Sequence, residues 1–416
     1  MVEDGTLLGQ VVELDVGAPA HGGSCVARHD GRVVFVRHAL PGERVRARVT
    51  EDRGASFCRA DAVEILQPGA ERVAPQCPHA GPGRCGGCDW QHASASAQRA
   101  LKLAVIREQF ARVAGIDVAG LLGEVEPLDG GLLGWRTRIT YAVEGDGRPG
   151  LHRYRSHEIE PVELCPLGAA SVGDSTVLQR EWPGLSGVEV VRDGAGDVAV
   201  LAHRPGPGRQ ARGRRPPDRV QGVSGPDVLS FRSGGREFAV SAGGFWQVHP
   251  AALATFASAL LRAVAPQAGE SVLDLYAGAG PLTAAFAEAV GPTGQVLGLE
   301  SARAAVADAG RNLADLPWAE VRHARVTSAA LDGLGREFDV VLLDPPRAGA
   351  GRETTARLLA LHPRAVGYLA CEPASLARDV AVAAGLGWRL TVLRAFDAFP
   401  MTHHVECVAL LEPGEL

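Results

Sequence analysis

The sequence is poor in lysine, methionine and aromatic residues, and it has no long apolar run. Lys102 is the single lysine, two methionines are present, and aromatic side chains make up 5% of the chain. Because no run of about 18 apolar residues occurs, no transmembrane helix is expected. The first residues, MVEDGTLLGQ, lack the basic and apolar regions of a signal peptide, so a cytoplasmic location is expected.

The chain also lacks an excess of positive charge. Its net charge is −6, whereas a nucleic-acid-binding protein often carries a basic face. The net charge does not exclude nucleic-acid binding, since binding depends on local patches. The most basic stretch, residues 204–226 (RPGPGRQARGRRPPDRVQGVSGP), is rich in Pro, Gly and Arg, which predicts a surface loop or linker.

Length and pattern divide the 416 residues into three predicted domains. In residues 1–66, short apolar stretches separated by turns predict a small β-barrel of the OB type, which either binds oligonucleotides or is purely structural. Residues 67–244 form a predicted β-rich central domain with an embedded helix near 94–114. Residues 245–416 alternate helices and strands, which is typical of a doubly wound, Rossmann-like α/β domain.

A cofactor site is predicted at the start of the α/β domain. The strand SVLDLY runs into Gly278-Ala279-Gly280, and Glu300 ends the next strand, where a carboxylate can accept both ribose hydroxyls of an adenosyl group. The Gly-x-Gly pattern alone would fit NAD equally well. The loop lacks the third Gly of a dinucleotide motif, and the fourth strand ends in Asp344-Pro345-Pro346. These features favour S-adenosylmethionine.

Three further segments begin at or near strand ends, at 344–349, 368–379 and 399–411. Cys371 follows the apolar strand AVGYLA and precedes Pro373, so its thiolate would lie on a tight loop where it can act as a nucleophile. The alternative for a lone Cys is a buried apolar residue. Glu406 precedes the final apolar run, where a solvated surface carboxylate is the ordinary alternative.

These segments together resemble the RNA 5-methyluridine methyltransferase family. The resemblance is carried by DPPRAG, by the Cys-x-Pro-x-x-Leu-Ala-Arg-Asp segment and by the terminal His-x-Glu, and the N-terminal barrel is similar to a TRAM domain. It implies that Cys371 attacks C6 of uracil and that Glu406 removes the C5 proton after methyl transfer. It also implies a target uridine in ribosomal or transfer RNA. Because an RNA helix buries its bases, that uridine is expected in a loop or flipped out. A monomer is expected.

The same resemblance assigns side chains around the reacting groups. Those implied to line the cofactor and uracil sites are Gln247, Tyr276, Glu300 and Asp344, with Arg347 supporting the loop. Three single residues depart from the family pattern: Glu372 and His249 stand where Asn is frequent, and Pro281 stands where a cofactor-binding Asn is usual. In addition, residues 324–328 (ARVTS) contain no acid where an adenine-contacting Asp is common.

A second group of residues suggests a metal centre. Cys77, Cys85 and Cys88 are clustered, and Cys165 lies far downstream, so four thiolates are available for zinc or an iron–sulfur cluster. A zinc ribbon usually has two Cys-x-x-Cys pairs, and only one is present here. The segment CGGCDWQH with a distant Cys-Pro resembles the iron–sulfur members of the family, which implies a structural 4Fe–4S cluster.

Two other functions remain open at this point. One is a nucleic-acid-binding iron–sulfur protein that has lost catalysis, against which Cys371, Glu406 and the DPPR segment argue. The other is a methyltransferase for a different substrate, such as cytosine or a small molecule, against which the barrel and central domain argue because they suit a large polymer.

Overall fold

The computed structural model describes residues 6–54, 56–206 and 218–414, so residues 207–217 of the predicted basic linker lie outside the described residues. The N-terminal β-domain is one six-stranded sheet in the order β1-β5-β6-β4-β3-β2. Its strands are β1 (Val11–Asp15), β2 (Pro19–Ala20), β3 (Ser24–His29), β4 (Arg32–Arg37), β5 (Arg44–Glu51) and β6 (Phe57–Gln67). Because β1 also contacts β3, the sheet is rolled around its own apolar core.

A helix follows the cysteine-rich loop, in the region near 94–114 where the sequence predicts one. Helix α1 (Ala95–Gln109) begins where the Ser94 hydroxyl accepts the Ala97 N–H at 3.2 Å, and it continues as a π-helical turn over Phe110–Ala114. The central sheet has the order β10-β9-β8-β11-β12-β13, and β14 and β15 form a separate hairpin. The strands from here to the hairpin are β7 (Val125–Pro127), β8 (Arg138–Val143), β9 (Pro149–His152), β10 (Ile159–Pro161), β11 (Gly187–Arg192), β12 (Val198–Arg204), β13 (Arg219–Ser224), β14 (Val228–Ser233) and β15 (Arg236–Ser241).

The C-terminal part confirms the doubly wound α/β prediction. Its eight-stranded sheet has the order β18-β17-β16-β19-β20-β22-β21-β7, in which β16 to β20 run parallel and β22 runs antiparallel to β20. The elements are α2 (Ala252–Val264), β16 (Ser271–Leu275), α3 (Pro281–Val290), β17 (Gln295–Glu300), α4 (Arg303–Asn312), β18 (Ala319–His323), α5 (Ser328–Asp332), β19 (Val340–Leu343), α6 (Arg352–Leu359), β20 (Ala365–Ala370), α7 (Pro373–Gly385), β21 (Trp388–Asp397) and β22 (Glu406–Pro413).

Both faces of this large sheet are buried. Val272 of β16 packs in one apolar cluster and its neighbour Leu273 packs in the other, which explains why the strands read as continuous apolar runs. Phe110 joins the second cluster, and β7 pairs with β21 at the sheet edge. The central segment therefore contributes to the core that supports the carboxyl edge of the sheet. No helix among the described residues is both long and apolar enough to cross a membrane.

Candidate active site

The carboxyl ends of β16, β19 and β20 meet at one edge of the sheet, and β22 starts at that edge because it runs the other way. The register pairs Ala370 of β20 with Cys407 of β22. Cys371 directly follows Ala370 in the chain, and Glu406 directly precedes Cys407. The topology therefore brings together two side chains that are 35 positions apart in the sequence.

The Glu406 carboxyl affects the ionisation of the Cys371 thiol. Burial raises the pKa of Cys371 to about 12, with further increases from Glu406 and Asp344 and a decrease from Arg347. Glu406 is 3% exposed, and its Oε2 has no hydrogen-bond partner among the described residues. Burial, followed by Asp344, raises the pKa of Glu406 well above its usual value, whereas Arg347 lowers it. The positive charge of Arg347 thus favours both the Cys371 thiolate and the Glu406 carboxylate.

Two further carboxyl groups lie at the same edge. Burial raises the pKa of Asp274 to about 7, although the Thr283 hydroxyl donates to its Oδ2 at 2.6 Å. Its other oxygen is buried without a partner among the described residues. Asp344 is partly exposed to the cleft, yet burial followed by the charge of Asp274 raises its pKa to about 7. The site therefore concentrates carboxyl groups whose ionised forms are disfavoured by burial, and a positively charged ligand would favour their ionisation.

The residues implied to bind the cofactor lie around one cleft. Gln247, Tyr276 and Asp344 line it together with the backbone of the Ala277–Ala279 turn. Glu300 lies behind the turn, where its Oε2 accepts the Gly278 N–H at 3.1 Å. The arrangement places three of the four predicted side chains on the cleft wall and the fourth against its floor.

Two side chains that the sequence analysis did not assign hold the loop after Asp344. Asp379 accepts N–H bonds from Ala350 (2.8 Å) and Gly351 (3.2 Å), and the Tyr368 hydroxyl donates to it at 2.7 Å. The Ser375 hydroxyl donates to the Arg347 carbonyl at 2.8 Å. The segment after Cys371 therefore fixes the loop that carries Arg347. The Asp at the end of the Leu-Ala-Arg-Asp run was a signal that could have revealed this role.

The three departures from the family pattern have different structural settings. Pro281 is the first residue of α3, a position where a missing N–H costs nothing. His249 is buried, stacks on Trp135 with 6.0 Å between ring centroids, and accepts the Ala251 N–H at 3.2 Å. Glu372 hydrogen-bonds to His21 of the N-terminal β-domain at 2.8 Å. His249 is thus a core residue at the start of α2, whereas Glu372 links two parts of the molecule.

The segment that leads to Glu406 is anchored by the first half of the chain. Asp89 Oδ2 accepts the His403 N–H at 3.0 Å and contacts His403 Nδ1 at 2.6 Å, and the Asp89 and Trp90 N–H groups donate to the Met401 carbonyl. The Lys102 ammonium is buried and binds Asp397 at 2.5 Å. Nothing in the sequence pattern indicates these pairs, because their members are about 300 positions apart.

The four predicted metal ligands come together. Cys85 and Cys88 each lie within electrostatic range of Cys77 and Cys165. Burial raises the pKa of Cys85 to about 11, and the Gly87 N–H donates to its sulfur at 3.4 Å. Over residues 6–54, 56–206 and 218–414, no three Cys, His, Asp or Glu side chains are arranged around a single metal ion. The described residues therefore show no metal site, so neither zinc nor the expected 4Fe–4S cluster of the central domain is shown by this geometry. The remaining cysteines Cys25, Cys58 and Cys407 are buried core residues.

Family models match both ends of the chain. The TRAM domain model matches residues 5–63, and the model described as tRNA (Uracil-5-)-methyltransferase matches residues 259–413.

Relatives match over nearly the whole length. A Streptomyces avermitilis protein described as "Uncharacterized RNA methyltransferase" is 46% identical, over 98% of this chain and 99% of its own. The 23S rRNA (uracil(1939)-C(5))-methyltransferase of Alkalilimnicola ehrlichii is 33% identical, over 96% of each chain. The structure of the Pyrococcus abyssi tRNA (uracil-54, C5)-methyltransferase, in complex with S-adenosyl-L-homocysteine, has the same fold with a TM-score of 0.68 at 21% identity, over 96% of this chain and 100% of that chain. The chain belongs to the RNA (uracil-C5)-methyltransferase family.

Proposed function

We propose that the protein transfers a methyl group from S-adenosylmethionine to C5 of a uridine in RNA, with Cys371 as the nucleophile and Glu406 as the base. The observation that carries the proposal is the meeting of this thiol and this buried carboxyl at the edge of the sheet where the predicted cofactor cleft opens. A nucleic-acid-binding protein without catalysis has no need for an isolated carboxyl with a raised pKa beside a cysteine.

The reaction has two stages, addition of the Cys371 thiolate to uracil and its later elimination. The Cys371 thiolate adds to C6 of uracil, which makes C5 nucleophilic enough to take a methyl group. Glu406 then accepts the proton from C5, and the electron pair of that bond expels the thiolate and restores the ring double bond. A base of raised pKa in a water-poor pocket suits the removal of a proton from carbon. Arg347 favours the thiolate before attack, since its charge lowers the pKa of Cys371.

The cleft residues fit S-adenosylmethionine. When bound, the cofactor supplies an electrophilic methyl group on a positively charged sulfonium. Asp344 lines the cleft, and the unpaired Oδ1 of Asp274 provides a further acceptor at its base. Glu300 ends β17 next to the Gly278 turn, the position from which a carboxylate accepts ribose hydroxyls in open α/β sheets. Gln247 and Tyr276 complete the wall.

For the four cysteines we propose a 4Fe–4S cluster rather than a single ion. Each thiolate of such a cluster binds a different iron, so its ligands do not converge on one point. We propose that Cys77, Cys85, Cys88 and Cys165 hold it, with N–H groups of Gly87, Leu167 and Gly168 directed at the sulfurs. Methyl transfer needs no electrons, so the role of the cluster is structural.

A uridine of 23S ribosomal RNA is the favoured target. The support is the 33% identity, over almost the full length, with an enzyme named for that RNA, whereas the likeness to the transfer RNA enzyme lies at the level of fold. The test is nucleoside mass spectrometry of ribosomal and transfer RNA from a strain that lacks the gene. Loss of 5-methyluridine from one 23S position, restored by the wild-type gene, is the expected result. Loss from transfer RNA alone would move the target, and no loss from either would refute the function.

Cys371→Ala is the direct test of the nucleophile. We expect it to abolish methyl transfer and to prevent the denaturant-resistant adduct with 5-fluorouridine RNA, while cofactor binding changes less than about twofold because the thiol reacts with uracil. Cys58→Ala, a change of a buried cysteine in the β-domain, is the matched control and should retain the adduct. An adduct formed by the Cys371→Ala variant would assign the attack to another residue.

A further inference from the structure

The turn between β2 and β3 of the N-terminal β-domain lies against the loop that carries Cys371. The ring Nε2 of His21 is 2.8 Å from Oε1 of Glu372, the residue directly after the nucleophile. A single cleft is lined on one side by residues 20–22 and on the other by residues 371–373. The β-domain therefore contributes a side chain to the surroundings of the nucleophile, in addition to any surface that it offers to RNA.

The contact between the two parts is close and fixed. Gly23 has a φ of +82°, and a Cβ placed there would lie 2.6 Å from the Asp89 side chain, so only glycine permits this approach. Arg37 of β4 is buried 3.5 Å from Asp89 and stacks on the ring of Tyr154 with 3.4 Å to its centroid. Asp89 thus packs against both Gly23 of the turn and Arg37 of β4, which places the turn beside the loop of Glu372.

Glu372 connects His21 to the nucleophile loop. Its Oε1 also accepts the Ala374 N–H at 3.2 Å at the start of α7. A movement of this side chain would therefore release the first turn of α7 from the end that adjoins Cys371. The carboxylate needs a partner here, because an unpaired negative charge next to the nucleophile disfavours a thiolate.

The charges around the pair favour its ionised form. The hydrogen bond that the His21 ring donates to Glu372 raises the pKa of His21 above its usual value. The charges of Glu372 and Glu108 add to this, whereas burial and Arg112 oppose it. Burial acts to raise the pKa of Glu372, but the hydrogen bond and charge of His21, the Ala374 N–H and the charge of His403 bring it below its usual value. His403, the other ring beside His21, is itself paired with Asp89.

We propose that His21 is a positioning residue for methyl transfer, which holds Glu372 and thereby the loop of Cys371 in the reactive arrangement. The inference rests on the proposed function and adds to it a role for the β-domain in the chemical step. It also accounts for Glu372 at a position where the family often has Asn, because a carboxylate there is matched by a histidine from the β-domain.

The test is steady-state methylation of an unmodified 23S RNA fragment by full-length His21→Ala, Glu372→Gln and double variants. We expect His21→Ala to lower kcat about tenfold while KM for RNA changes less than about twofold, since the residue acts on the reacting loop and not on RNA binding. His21→Gln, which keeps a hydrogen-bond donor, should restore most of kcat. In the Glu372→Gln background the effect of His21→Ala should largely vanish, because the pair acts as a unit. His29→Ala, in the same β-domain and paired with its neighbour Asp30, serves as the control.

The opposite pattern would overturn the inference. A raised KM for RNA with unchanged kcat in His21→Ala would make His21 an RNA contact, and independent, multiplicative effects of the two substitutions would separate it from Glu372. Wild-type activity in His21→Ala would refute the inference alone. Absence of uridine methylation by the wild-type protein would refute the proposed function first.

Discussion

A carboxyl group that removes a proton from carbon has to be shielded from water and yet has to ionise during the reaction. Glu406 meets the first condition, since it is 3% exposed and one oxygen has no partner among the described residues. Arg347 acts in favour of the second, since its charge lowers the pKa, although burial and Asp344 keep the pKa of Glu406 well above its usual value. The carboxyl is needed only after methyl transfer, because expulsion of Cys371 requires loss of the C5 proton.

Glu406→Gln therefore separates the two halves of the reaction. The amide keeps the shape of the side chain but cannot take up the proton, so we expect turnover to fall by about a hundredfold or more. A methylated covalent enzyme–RNA complex should accumulate and appear as a denaturant-resistant gel shift. Glu372→Gln is the control for the stalled complex only: it should slow turnover by disturbing the loop that His21 and Glu372 hold, but it should not accumulate the methylated complex. Normal turnover by Glu406→Gln, or a stalled complex in the control, would move the base away from Glu406.

The raised pKa of Asp344 also makes the stability of the fold depend on pH. Its pKa is about 7 in the folded protein against 3.8 for the free group, so the folded state holds a proton that the unfolded state releases. Stability from this group is present at low pH and is lost as pH rises from about 4 to about 7. We expect Asp344→Asn to raise the melting temperature by at least about 2 °C at pH 8 and by less at pH 5.

The control variant, Asp339→Asn, should change the melting temperature in the opposite direction. Bonds from Ser271 hold the pKa of Asp339 below its usual value, so Asp339→Asn should lower the melting temperature at pH 8. A gain from Asp344→Asn that was equal at pH 5 and pH 8 would contradict the argument, since a difference in packing alone does not titrate.

At the scale of elements, the loop of residues 77–92 connects the predicted cluster to the active site. Cys88 is followed directly by Asp89, which binds His403 two residues before Val405, and Gln91 bridges the Cys77 N–H (2.9 Å) and the Cys88 sulfur (3.3 Å). A cluster on these cysteines would thus set the position of the segment that presents Glu406.

The variants Cys85→Ser and Cys88→Ser test this connection between the predicted cluster and the active site. Anaerobically purified wild-type protein should be brown and contain about four irons, one for each Cys ligand. We expect either variant to lose the colour and to show faster amide exchange in residues 397–405, which the loop anchors. Cys25→Ser, in the core of the β-domain, should keep the iron. Stoichiometric zinc without iron in the wild-type protein would refute the cluster.

The elements that the sequence predicts are those with a local signal. The apolar spacing within residues 94–114 predicted α1, and the apolar run before Cys371 predicted β20, because helical periodicity and a buried strand both depend on neighbouring residues. The contacts of Asp89, Lys102 and His21 could not be predicted. Each joins residues about 300 or more positions apart, and periodicity carries no information about such pairs.

At the scale of the whole molecule, a chain with a net negative charge has to bind RNA, which is itself a polyanion. The net charge is −6, and several arginines on the β-domain are already paired, as Arg44 and Arg46 are with Glu13. The remaining concentration of positive charge in the sequence is the run around residues 209–215. Binding to phosphates by such a run releases counterions and is therefore independent of base sequence and sensitive to salt.

Replacement of Arg209, Arg212, Arg214 and Arg215 by Ser tests this contribution. We expect weaker RNA binding at low salt and a slope of log K against log salt that is shallower by about 0.7 for each phosphate that the arginines no longer neutralise. Cofactor affinity should be unchanged, because the cleft is built from other residues. Arg389→Ser is the control, since this exposed arginine lies near the start of β21, at the sheet edge opposite to Cys371. An unchanged slope in the fourfold variant, measured by filter binding over several salt concentrations, would place the phosphate-binding arginines on the β-domain and the folded core instead.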